Sequence, residues 1–205
     1  MELFLMKQWG QYDNTDMSII QYSLTYKPVN AISISLSPEY MVSKDNLQYV
    51  TTIEDNGPDK YIMANLHSEQ FSLSARVNVG ITPDMSIQYY GQPFFFSGNY
   101  TRFKTITNSM ATDYYDRFHE YTADEIKLDS ENGVYNVDAD KNGTTDFSFD
   151  DPNFHFLQYR SNLVFRWEYK PGSTFFLVWS QGRTTDGSDG NFNFTDYTRE
   201  LHQAI

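Results

Sequence analysis

Cysteine is missing from all 205 residues of this chain. A disulfide framework, a zinc–thiolate site and a cysteine nucleophile are therefore excluded. Also missing is any apolar run near the ~20 residues that a membrane helix requires, and the mean hydropathy is negative. Positive charge is scarce: 15 Lys and Arg stand against 27 Asp and Glu, for a net charge of −12. A general nucleic-acid binder needs a basic surface, so that class is excluded. The opening Met1-Glu2-Leu3-Phe4-Leu5-Met6-Lys7 has no basic segment followed by a long apolar one, and does not read as a signal peptide.

What the chain has in quantity is aromatic residues, 16 Tyr and 16 Phe, which favour strands over helices. Three alternating segments each run into a proline-containing turn and out into another alternating segment. The turns are Tyr26-Lys27-Pro28-Val29-Asn30, Ile81-Thr82-Pro83-Asp84-Met85 and Tyr169-Lys170-Pro171-Gly172-Ser173. Proline presets φ for a tight turn, and a flanking period of two marks antiparallel hairpins. The expected hairpins span about 17–43, 69–97 and 156–183, separated by polar stretches at about 44–68, 98–153 and 184–205. Short turns at one end and long loops at the other are the plan of an outer-membrane β-barrel.

The alternation assigns two faces. In Gln70–Ile81, Phe71, Leu73, Ala75, Val77, Val79 and Ile81 oppose Ser72, Ser74, Arg76, Asn78 and Gly80. Ile32, Ile34 and Leu36 oppose Ser33, Ser35 and Ser37, and Leu163, Phe165 and Trp167 oppose Asn162, Arg166 and Glu168. A soluble antiparallel sandwich produces the same alternation. The runs, however, reach about ten residues, where ordinary strands average roughly five or six and tilted membrane strands need about 9–11. Arg76, Arg160, Arg166 and Glu168 sit mid-strand on the polar faces, as a wet lumen would require. Tyr22, Tyr26, Tyr40, Tyr89, Tyr90, Phe94, Phe95, Phe96, Trp167, Tyr169 and Trp179 crowd the strand ends, where interfacial girdles belong. The expected fold class is all-β: an antiparallel meander of long hairpins, forming part of a transmembrane outer-membrane β-barrel. About six long strands are visible, below the eight of the smallest single-chain barrels, so residues 1–205 are expected to be one partial barrel domain with missing strands supplied by flanking parts.

Twelve of the acids fall between Met110 and Asp151, against only Arg117, Lys127 and Lys141. Solvation explains most of them. Within this stretch, Asp138-Ala139-Asp140-Lys141-Asn142-Gly143-Thr144-Thr145-Asp146 places oxygen side chains at positions one, three, five and nine, with glycine at six. That spacing wraps hard ligands around calcium: Asp138, Asp140, Asn142 and Asp146 through side chains and Thr144 through its carbonyl. Position twelve is Phe149 rather than the bidentate Glu, with Asp150 or Asp151 as the candidate replacement. The same residues also build an Asx-rich turn with no ion. No catalytic arrangement is visible. His67, His119, His155 and His202 are scattered, and Asp113, Asp116, His119 and Glu120 are near one another only in sequence.

The string Arg160-Ser161-Asn162-Leu163-Val164-Phe165-Arg166-Trp167-Glu168-Tyr169-Lys170-Pro171-Gly172-Ser173-Thr174-Phe175-Phe176-Leu177-Val178-Trp179-Ser180-Gln181 closely resembles the final barrel hairpin of a family of Bacteroidota outer-membrane proteins. Members combine an amino-terminal, family-nine-like carbohydrate-binding domain with a carboxy-terminal barrel domain of unknown function. Thr82–Phe94 resembles the preceding hairpin, and Leu47–Val50 and the Asp138–Asp146 loop followed by Asp151–Phe154 are similar to family segments. The resemblance spans about Tyr22 to Arg183. It implies location in the bacterial outer membrane and an anchor or conduit role in cell-surface carbohydrate or polymer handling, with the lipid bilayer, missing barrel strands and carbohydrate as partners. The sugar-binding domain has no counterpart in these residues, so sugar binding passes to none of them. Family members are often labelled hydrolases, yet no residue here carries that label. Two other functions compete: a soluble β-sheet carbohydrate-binding module whose aromatics stack on sugar, and a membrane-associated glycoside hydrolase with an acid pair such as Asp113 and Glu120 at about 5–10 Å.

Overall fold

The computed structural model describes residues 2–9, 14–54 and 58–204. Seven long strands form an antiparallel meander in sequence order. They are β1 (Glu2–Trp9), β2 (Thr15–Val29), β3 (Ile32–Ile53), β4 (Lys60–Thr82), β5 (Met85–Ile106), β10 (Phe154–Lys170) and β11 (Ser173–Gly187). Between β5 and β10 lie β6 (Phe118–Glu120), which pairs with β5, and a separate three-stranded sheet of β7 (Ile126–Asp129), β8 (Val134–Val137) and β9 (Phe147–Asp150). Helix α1 (Phe194–Gln203) follows β11.

The three expected hairpins are present, with turns at Asn30–Ala31, Pro83–Asp84 and Pro171–Gly172. Pro28 does not centre the first turn. It lies within β2, where the register slips between Tyr26 and Val29; a residue without an N–H is tolerated at such a bulge. The strands are much longer than expected, 22 residues in β3 and 23 in β4. The polar stretch 44–68 is therefore mostly strand, and 98–106 continues β5. Strand pairing keeps these polar segments extended, and the β7–β9 sheet covers part of one face. Strand β1 brings the long strands to seven rather than six, and 184–205 holds the end of β11 and a helix.

The register stacks the apolar residues into rows across the sheet. One row is Ile32, Val79, Ile87, Phe165 and Leu177; the next is Ile34, Val77, Tyr89, Leu163 and Trp179. Further along the strands come Tyr40, Phe71, Phe95 and Leu157, and then the face turns polar at Glu69, Ser97 and His155. Trp179 and Tyr89 thus lie within the band rather than at its rim. The opposite face repeats the alternation in polar residues, such as Ser35, Arg76, Tyr90, Asn162 and Ser180. Leu73, Val77, Ile34 and Phe165 are all part-exposed and belong to no buried core.

The buried cores sit beyond this band, on opposite sides of the sheet. On the face of Arg76 and Ser68, the β7–β9 sheet covers the extension of β4 and β5, burying Ile62, Ala64, Phe103, Tyr121, Val137 and Phe149. On the face of Phe71, α1 and the preceding loop bury Phe95, Leu157, Tyr197 and Leu201. The helix starts at Asn193, whose side chain accepts from the amides of Thr195 (3.1 Å) and Asp196 (3.2 Å). Its apolar residues Phe194, Tyr197 and Leu201 recur at helical spacing and meet the sheet edge-on, with Phe194 5.3 Å from Phe71 and 5.5 Å from Phe95 between ring centres.

Candidate functional site

The loop Asp138–Asp146 joins β8 to β9, so a four-residue hairpin anchored on the Phe103 core sets its ends. Two residues adopt left-handed backbone, Lys141 at φ 60° and Gly143 at φ 87°. Only glycine reaches that region without a Cβ penalty, which is the service expected of position six. The chain curls so that one oxygen from each of Asp138, Asp140 and Asp146 lies within 4.8 Å of the others. Asp138 accepts from the amides of Asn142 (3.0 Å) and Gly143 (2.8 Å), and Asp146 accepts from the amide of Ala139 (2.8 Å). Asn142 accepts from the Thr144 amide at 2.8 Å and from the Thr144 hydroxyl, and donates to Asp140 at 2.8 Å.

Three carboxylates at this separation repel one another, and hard oxygens in such a loop suit a hard divalent cation. The donor chemistry fits calcium for Asp138, Asp140 and Asp146, with Asn142 on the same loop. The replacement ligand expected from Asp150 or Asp151 does not arrive. Phe149 is buried in the small sheet, and Asp150 pairs with Val134 at the end of the hairpin remote from the loop. Three residues of strand separate it from Phe147, about 10 Å at 3.3 Å per residue.

A second acid governs the placement of this loop. Glu125 is almost wholly buried. One of its oxygens accepts from the Thr122 amide (2.7 Å) and hydroxyl (3.0 Å) and meets His119 Nε2 at 3.1 Å; the other lies 3.6 Å from Lys141 Nζ. Glu125 thereby ties the turn after β6 to the Asp138–Asp146 loop. The Thr122 amide and hydroxyl, with His119, overcome desolvation and hold its carboxyl down at about 2. Sequence reading missed this role, although the Thr122–Glu125 spacing, a capping-box pattern, was there to be noticed.

The other acids and histidines named from sequence form no further group of three or more that could hold a metal ion among the described residues. Glu120 holds Arg102 through two bonds of 2.7 and 2.9 Å, and Asp113 accepts from the Tyr115 amide. Asp113, Asp116, His119 and Glu120 are not drawn into one constellation: His119 turns to Glu125 and Glu120 to Arg102. Ser97 and His155 are cross-strand neighbours near Glu200. Both ring nitrogens of His155 are engaged, Nδ1 with the Asp189 carbonyl (2.9 Å) and Nε2 with Glu200 (3.2 Å), so the imidazole serves to fasten α1 to the sheet.

The polar face of the band carries a shallow cavity of about 240 Å³ lined by Arg76, Asn78, Gln88, Tyr90, Asn162 and Val164, with the Arg76 guanidinium 5.1 Å from the Tyr90 ring centre. No helix among the described residues is long and apolar enough to cross a membrane, which leaves strands unaddressed. No protein family, curated protein or solved structure matches this chain.

Proposed function

We propose that this chain is the membrane-crossing part of an outer-membrane β-barrel, serving as anchor or conduit in the handling of carbohydrate or other polymer at the bacterial surface. The observation that carries the reading is the apolar band. From Ile81 to Leu73, the last row before α1, it extends eight residues along β4, about 26 Å at ~3.3 Å per residue. Tilted by ~40°, that span covers about 20 Å, most of the ~25 Å apolar belt of such barrels. Trp167 and Tyr169 stand at its turn end, as a girdle would, and at its other limit α1 covers the Phe71, Phe95 and Leu157 row. The faces of the band agree with lipid outside and water inside. Leu24, Leu36 and Leu177 lie exposed on one side, and Arg76 and Asn78 on the other.

The extensions of β3, β4 and β5, with the β7–β9 sheet on the lumenal face, stand on the side away from the tight turns, the extracellular side in such barrels. The candidate calcium loop rides on that sheet. Millimolar calcium outside the cell suits the modest affinity of a loop lacking a bidentate ligand at position twelve, roughly 10⁻⁴–10⁻³ M. The carbohydrate component rests on the resemblance of the 160–181 string and on no sugar-binding residue.

The test is a pair of substitutions one residue apart. Val77→Arg places a charge in mid-band facing lipid and costs about 2–4 kcal/mol in a lipid refolding titration. Asn78→Arg, on the wet face, costs far less. Equal losses at the two positions would remove the basis for assigning the faces.

A further inference from the structure

The two outer edges of the seven-stranded sheet run in the same direction. Every neighbouring pair from β1 to β11 is antiparallel, so direction alternates along the path and the first and seventh strands point alike. We infer that the free edge of β11 is a docking edge for an antiparallel strand from outside this sheet, and that the segment completing the barrel contributes an odd number of strands. This inference rests on the membrane-barrel reading above.

Parity excludes the simpler closures. Joining β1 directly to β11 would create a parallel seam in a seven-stranded ring, smaller than the eight strands of the smallest barrels and odd where bacterial single-chain barrels are even. A second copy in the same membrane orientation would bring β11 of one chain against β1 of the other, giving two parallel seams. One, three or more odd strands allow every seam to be antiparallel.

The composition of β11 supports docking. Natural edge strands are blunted by Lys, Pro, inward charges or bulges. From Ser173 to Gly182, β11 has none of these, and its pairing with β10 runs without a register shift beyond the turn. Phe175, Leu177 and Trp179 face the lipid side at 48–56% exposure, and Phe176 and Val178 face the other side at 57% and 59%. A strand apolar on both faces is the pattern of one covered on both. The occupant is therefore an alternating strand whose outward residues continue the apolar rows and whose inward residues cover Phe176 and Val178. In a bilayer an unpaired edge leaves N–H and C=O groups without partners in hydrocarbon, so the docking strand is needed for a stable barrel.

The lack of native cysteine makes a disulfide test clean. Insertion of the full chain is first established by co-flotation with lipid vesicles after an alkaline wash; failure there strikes the membrane reading itself. In inserted protein, Leu5→Cys is combined in turn with Leu177→Cys, Trp179→Cys, Gln181→Cys or Arg183→Cys and oxidised, beside a Leu163→Cys/Trp179→Cys control from a paired position. The control is expected to crosslink and the β1–β11 pairs are not, either within a chain or between copies. The probe for the docking edge is a synthetic peptide of residues 70–81 carrying Gln70→Cys, with Arg76→Leu and Asn78→Leu so that its inward face is apolar opposite Val178 and Phe176. Offered to single variants at the two ends of β11, it is expected to crosslink at Thr184→Cys and not at Thr174→Cys, the antiparallel orientation. A β1–β11 disulfide, crosslinking at Thr174→Cys instead, or crosslinking at neither position would overturn the inference.

Discussion

At the scale of single residues, the side chain that most constrains the upper part of the molecule is Glu125. Its carboxyl is held from the ordinary 4.5 down to about 2 by the Thr122 amide first, then the Thr122 hydroxyl and His119. A depressed folded-state pKa contributes stability that is complete above the unfolded value and lost as pH falls through the folded one. The β7–β9 region is therefore expected to lose stability progressively between pH of about 4.5 and about 2. Glu125→Gln should flatten that part of the profile, read as melting temperature against pH; an unchanged acid limb would show that Glu125 is not the group responsible. Asp138 and Asp140 provide a second expectation. Calorimetric titration with millimolar calcium should give heat that Asp138→Ala/Asp140→Ala abolishes. Equal heat from the double variant, or none from the native chain, would leave the loop an Asx-rich turn.

Among the elements, the three hairpins were legible because period-two patterning and proline turns are local signals. The strand ends were not. Residues 44–53 and 60–68 alternate weakly, since they leave the apolar band, and pairing of β4 with both β3 and β5 keeps them extended. Helix α1 had a readable start, Asn193 ahead of Thr195 and Asp196, with Phe194, Tyr197 and Leu201 at helical spacing. It was obscured by the polar residues between. At the candidate site, the ligand spacing of Asp138 to Asp146 was readable, whereas the exclusion of Asp150 depends on the orientation of β9, which no linear pattern encodes. The β7–β9 sheet depends on Phe103, packed 4.5 Å from Tyr135 and 5.3 Å from Phe149 between ring centres. Phe103→Ala is expected to cost about 3–5 kcal/mol in that region. Hydrogen exchange should show protection lost from β7–β9 while the band around Val77 is retained. Loss of protection throughout would mean that insert and sheet unfold as one unit.

For the whole molecule, the decisive feature is a sheet on which, among the described residues, no second layer covers the apolar rows of Val79 and Val77, with its two cores displaced to one end and to opposite faces. In water such a band would expose large side chains across seven strands, a patch far beyond what soluble monomers tolerate. In a bilayer the same band is satisfied by acyl chains. The two described tryptophan side chains lie at different heights on it: Trp167 beside the turn, paired with Phe175 and Met85, and Trp179 level with Val77. The most direct measurement is quenching of their fluorescence, in a Trp9→Phe background, by phospholipids brominated at shallow or deep acyl positions. The account predicts that deep bromines quench Trp179 most strongly and shallow bromines Trp167. Equal accessibility of both tryptophans to aqueous iodide, with no quenching by either lipid, would contradict it.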